Sequence, residues 1–115
     1  MSRMVYEELT PLTRGEGEPL LAQALSSDER SAVLLCLSLA PDESAWKQRL
    51  FGDILRGPDE ALHVAAALAL GHLARVSGRI DRERALAALL SLVGRPGVGG
   101  VAQDAIDDIG IFCPE

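Results

Sequence analysis

The chain has 115 residues, room for one domain with a modest core. Apolar residues make up 48% and aromatics only 3%, so the core must be aliphatic, built from Leu, Ala, Val and Ile, which favours helices over strands. The net charge of −6 argues against non-specific nucleic-acid binding, which needs cations to neutralise phosphates, and against docking on an anionic membrane.

The charge is unevenly placed. Residues 1–29 carry six acids and two Arg, residues 30–96 seven acids and nine bases, and residues 97–115 four acids and no base. A weakly basic middle therefore lies between two acidic ends. Residues 1–18 are poorly patterned, interrupted by Pro11, Gly15 and Gly17, and read as an extended arm or a short turn of helix on a single domain spanning 1–115. The N-terminus lacks an apolar stretch after its Arg, so no secretory leader is read and a cytoplasmic location is expected. Pro19 opens a short helical pattern over 19–25.

The next helix starts at Ser26, where Ser26 and Glu29 have capping-box spacing, and runs to Leu39 before Pro41 stops it. Cys36 falls inside its apolar run and reads as a buried small hydrophobe. A third helix over 43–56 can be capped from residues 42–44. Its face is Trp46, Leu50, Phe51, Ile54 and Leu55, with Lys47, Arg49, Asp53 and Arg56 on other sides. Gly57-Pro58 breaks the chain again, and Asp59 and Glu60 suit a first helical turn. Residues 61–76 then read ALHVAAALALGHLARV, apolar on nearly every side, as a helix sandwiched between neighbours does. Gly78 ends it. Asp81 caps a fifth helix carrying Ala85, Leu86, Leu89, Leu90 and Val93, and Gly94 and Pro96 end that one. A sixth, over 98–110, turns Val101, Ala102, Ala105, Ile106 and Ile109 inward, with Phe112 expected to close the end and Cys113 expected at the surface.

The pattern repeats. Asp28-Glu29 before Val33, Leu37 and Leu39 matches Asp59-Glu60 before Val64, Leu68 and Leu70 at an offset of 31. Phe51, Leu55 and Pro58 match Leu89, Val93 and Pro96 at an offset of 38. Helix pairs at this spacing are the signature of a helical solenoid, in which stacking buries faces that one pair cannot cover alone. The fold expected is all-α, a short HEAT-like right-handed α-solenoid of five to six helices. A four-helix bundle is the alternative.

Little in the sequence points to catalysis. His63 and His72 are nine residues apart, so a helix aims them to opposite sides and they cannot share a metal. His72 and Arg75 share a face beside Gly71 and read as a polar stripe at a close helix contact. The glycine-rich stretch 94–100 lacks the strand, Lys and Ser/Thr of a phosphate loop and reads as a turn. No Ser or Cys nucleophile elbow occurs, and two cysteines without a CxxC make neither a disulfide framework nor a zinc site. No catalytic residue, cofactor or metal is expected.

Asp104, Asp107 and Asp108 are the most informative polar group. Spacings of three and four put them on one face of the last helix, where like charges repel, and two of them sit near its negative end. Each of these effects costs a few tenths to about 1 kcal/mol, which points to use as a surface for a basic partner.

The segment ALALGHLARVSGRID, with the repeat around it, resembles small bacterial HEAT-repeat proteins. In these an AAxALGHLAR-type helix, here 65–75, precedes a Gly turn, a second helix and an acidic A-x-D-D-I-type ending, here 104–112. The resemblance covers about residues 58–112. Such proteins are often encoded beside polymorphic toxins and are taken to be immunity proteins. It implies neutralisation of a cognate toxin, many of which are basic nucleases, by tight binding and occlusion. Asp104, Asp107 and Asp108 are then the binding candidates, with Asp53 a weaker one on the side that usually lines the concave face. A general HEAT-like adaptor or assembly module is the other reading. No nucleic-acid or membrane partner is expected, and the oligomeric state is left open.

Overall fold

The computed structural model describes residues 10–23 and 25–114. Among these, six α-helices and one short 3₁₀ turn form and no strand does. They are α1 (Arg14–Leu21), α2 (Ser27–Ser38), α3 (Ser44–Arg56), the 3₁₀ turn Glu60–Leu62, α4 (His63–Ser77), α5 (Arg82–Leu90) and α6 (Gly99–Phe112). None of these helices is long and apolar enough to cross a membrane.

Local chemistry explains most boundaries. Ser26 caps α2 and closes the expected capping box with Glu29, whose carboxylate accepts from the Ser26 N–H at 2.9 Å. Asp81 accepts from the Arg84 N–H and starts α5. Gly78, left-handed at φ 62°, ends α4 at no steric cost. Two starts differ from expectation. α1 begins at Arg14, five residues before Pro19, because Thr13 and Glu16 form a second capping box; Pro19 then sits inside the helix. Of the two expectations for this stretch, an extended arm or a short turn of helix, residues 14–18 take the helical one, while residues 1–9 lie outside the described residues. α3 starts from Glu43 without a side-chain cap, since the Asp42 carboxylate is engaged by Lys47 and the Arg14 N–H.

The helices form two layers. α2, α4 and α6 pack side by side with α4 in the centre; α3 and α5 pack together behind them, α3 against α4 and α5 against α6, while α1 lies on α2. α4 is buried on nearly all sides, as its composition requires. Ala66, Ala67, Ala69, Leu70, Leu73 and Ala74 lose all contact with solvent. Small side chains let the neighbours come close, and burial of this aliphatic surface is the main stabilising term.

The spacing of the layer corrects the repeat. α2, α4 and α6 begin at Ser27, His63 and Gly99, 36 residues apart each time. At that offset Val33, Ala69 and Ala105 are all buried, as are Leu37, Leu73 and Ile109. The expected offset of 31 instead pairs buried Val33 with exposed Val64. The five-residue difference arises because Asp59-Glu60 leads into the 3₁₀ turn and not directly into the α-helix. That turn is held by His63, whose Nε2–H donates to the Gly57 carbonyl at 3.0 Å. In the second layer α3 and α5 start at Ser44 and Arg82, which matches the expected 38.

Lys47 is a residue that periodicity misplaces. Its side chain is fully buried, and its Nζ donates to the carbonyls of Leu12 (3.2 Å) and Ala40 (2.8 Å) and to Asp42 Oδ1 (2.7 Å). It fastens the chain entering α1 and the α2–α3 turn onto α3.

Candidate partner-binding surface

α6 is the edge of the α2–α4–α6 layer. Its inward row is Ala102, Ala105, Ile109 and Cys113, all buried, with the Cys113 thiol directed at the Ala74 carbonyl. Burial pushes that thiol above its usual range. Cys113, and not the expected Phe112, therefore closes the end of the helix, because residues 109 and 113 share a face while 112 turns outward.

The opposite side presents Asp104, Asp107 and Ile111, at helical spacing of three and four. Asp104 and Asp107 are exposed, and among the described residues Asp107 accepts only from its neighbour Gln103 (3.1 Å). Ile111 is 67% exposed and Phe112 42%. The outer side of α6 is thus acidic along its length and apolar at its C-terminal end. Ile111 was not singled out from the sequence, although its place in the same row as Asp104 and Asp107 was the available signal.

Asp108 does not belong to this outward row. Its side chain is 26% exposed and its Oδ2 lies 3.6 Å from Arg75 Nε on α4. The same oxygen sits over Gly71, whose missing Cβ leaves it room. Asp108 is therefore part of the α4–α6 contact, and the nearby guanidinium offsets the cost of placing a carboxylate there. Asp53 lies on α3 in the other layer, exposed and paired with Arg56 at 3.0 Å. The four expected binding residues are thus not one patch: two project from α6, one braces it, and one stands apart.

His72, also on α4, meets α2. Its Nδ1 is 3.4 Å from Ser38 Oγ. The Ser38 hydroxyl donates to the Leu35 carbonyl at 2.6 Å, so it accepts from the imidazole Nδ1–H. Ser38 is fully buried and its proton is committed, which makes the pair a packing contact between α2 and α4. The clefts between α3 and α5, among α1, α2 and α3, and between α2 and α4 are lined by other residues. Among the described residues no three His, Cys, Asp or Glu side chains converge as metal ligands would.

Burial, and then Arg75, hold the His72 pKa below its usual 6.5, while Asp108 pulls the other way. The folded state thus takes up this proton less readily than the unfolded chain, and stability is lost as pH falls below about 6.5 until the folded value is passed. Asp42 titrates lower. Burial pushes it up, but Lys47 and the Arg14 N–H outweigh that and hold it below 3.8, so its contribution is present above about 3.8 and is lost as pH falls from there to its folded value. Thermal melts across this range should show one acid loss from His72 and a further loss at lower pH, where Glu29 of the α2 capping box and Asp42 titrate, and a His72→Asn variant should keep only the lower loss.

No protein-family model, curated protein or solved structure matches this chain.

Proposed function

We propose that the protein is a non-catalytic binding module of HEAT-like solenoid architecture whose outer α6 surface docks a basic protein partner. The observation that carries this reading is the row Asp104, Asp107 and Ile111 with Phe112 beside it. Two carboxylates project where no described side chain of another helix neutralises them, and two large apolar side chains stand exposed next to them. Mixed surfaces of this kind suit protein interfaces, in which an apolar anchor supplies affinity and rim charges supply encounter rate and specificity. The constant 36-residue spacing of α2, α4 and α6 supports the solenoid reading. Within this class, neutralisation of a cognate basic toxin by occlusion is the specific function proposed, on the strength of the resemblance of residues 58–112. In that mechanism the partner's cationic cleft is covered and no bond is made or broken.

Affinity purification from the native host, with mass spectrometry of what is retained, should return a basic protein. Asp104→Lys with Asp107→Lys should then slow its association by about tenfold or more at low salt, with the difference shrinking as salt rises. Ile111→Ala should act mainly on dissociation. Unchanged binding of the double charge reversal would remove α6 as the interface. Capture of a neutral assembly factor in place of a toxin would favour the adaptor reading.

A further inference from the structure

A second surface, of opposite sign, lies in the other layer. The side of α3 that faces α5 carries Ala45, Gln48, Arg49, Gly52 and Arg56, at helical spacing of three and four. With Leu70 from α4, the α5 cap Asp81, and Arg84 and Ala85 from α5, these residues line a cleft of about 160 Å³. We propose that this cleft binds a phosphomonoester group through Arg49, Arg56 and Arg84.

Four features support it. Guanidinium groups from two helices border one cavity, and their planar forks match the oxygens of a phosphate. Their present partners are weak. Arg56 pairs with Asp53 and Arg84 with Asp81 only through exposed i,i+3 contacts, and Arg49 has no carboxylate partner among the described residues. Asp81 is the single carboxylate of the lining, and it is also held as the cap of α5 by the Arg84 N–H.

The floor is open without need. A Cβ on Gly52 would meet nothing nearer than the Arg56 guanidinium at 3.5 Å, an ordinary contact, so packing does not require glycine there. A mid-helix glycine disfavours the helix relative to alanine, and what it provides here is space beneath Arg56. The walls are also preformed. The Gln48 amide donates to the Asp81 carbonyl at 2.8 Å and its oxygen accepts from the Asp81 N–H at 2.7 Å, which fixes α3 against α5.

Size and charge select the ligand. Pockets for whole drug-sized molecules run to roughly 300–1,000 Å³, so this one takes a head group. A chain of net charge −6 repels a long polyanion, which favours a single phosphomonoester over a nucleic-acid backbone.

The test is an NMR titration of the full chain with inorganic phosphate at low ionic strength, against chloride of equal strength. Saturable shifts are expected at residues 45–56 and 81–85, with chloride giving none. Arg49→Gln should weaken binding by about tenfold, as befits the loss of charge-assisted hydrogen bonds. Gly52→Leu should abolish it by filling the floor at unchanged charge. Arg79→Gln, an equal change of charge outside the cleft, should leave it intact, and circular dichroism verifies that each variant folds. Free phosphoserine and a phosphoserine peptide distinguish a small ligand from a modified partner, and tighter binding of either than of phosphate supports the site. Non-saturable shifts, equal weakening by Arg79→Gln, or tighter binding of a single-stranded oligonucleotide than of any phosphomonoester would each overturn it. None of these outcomes depends on the α6 surface.

Discussion

Replacing Lys47 with methionine is expected to destabilise the fold by about 2–4 kcal/mol, because carbonyl acceptors that it serves lose their donor. The stem of the side chain would be matched in size, so little of the loss comes from packing. It comes from the three oxygens left behind. The carbonyls of Leu12 and Ala40 and the carboxylate of Asp42 all receive the Lys47 ammonium. A buried acceptor without a donor costs about 1–3 kcal/mol, and Lys47 itself is wholly enclosed. Asp42 is better placed than the carbonyls, since it keeps the Arg14 N–H and its side chain is 36% exposed, so water can replace part of what is lost. Most of the penalty therefore falls on the backbone groups. A double-mutant cycle with Asp42→Asn separates the two contributions, and a coupling well below the Lys47→Met loss is expected. Domains of this kind are stable by about 5–15 kcal/mol, so the variant should fold but with a much lower urea midpoint. A loss under about 1 kcal/mol would mean that water or neighbouring donors take over all three acceptors.

Lys47 also shows where a reading of the sequence stops. The periodicity of α3 correctly placed Phe51 and Leu55 in the core, with Trp46, Leu50 and Ile54 at its margin. It put Lys47 off the apolar face, with Arg49, Asp53 and Arg56. What buries it is a set of oxygens from three separate stretches of chain, and no local pattern encodes their convergence. Caps were legible where the motif stood alone, as at Ser26 with Glu29 and at Asp81. The same motif at Thr13 with Glu16 was hidden by Gly15 and Gly17, which read as breakers, and by Pro19, which reads as the start of a later helix. Gly17 is there for packing, since a Cβ would collide with the buried Leu37 side chain. On α6 the outward placement of Asp104 and Asp107 followed from spacing alone. Asp108 did not, because the residue that draws it inward, Arg75, lies 33 positions earlier on another helix.

That inward turn of Asp108 depends on Gly71, and Gly71→Leu is expected to cost about 3 kcal/mol, the upper end of overpacking effects. A Cβ at position 71 would stand 3.2 Å from Asp108 Oδ2, 3.3 Å from Ala105 Cα and 3.4 Å from Ala105 Cβ. One of these obstacles is backbone and cannot step aside without moving α6. Alanine sits at the margin of tolerance: it gains up to about 1 kcal/mol of helix propensity and loses a comparable amount to crowding, so its net effect should be small. Leucine adds three more carbons where there is no room for the first, so α6 must leave α4. The departure uncovers Ala102, Ala105 and Ile109 and separates Asp108 from Arg75. Chemical unfolding measures the loss, and amide exchange locates it. The expected signature is faster exchange along α6 and at the C-terminal half of α4, with α2 and α3 protected to a higher free energy. Because Asp104 and Asp107 ride on the same helix, partner binding should weaken together with α6 protection, even though both carboxylates are intact. A variant that lost stability evenly across all helices would show instead that α6 is inseparable from the rest of the core.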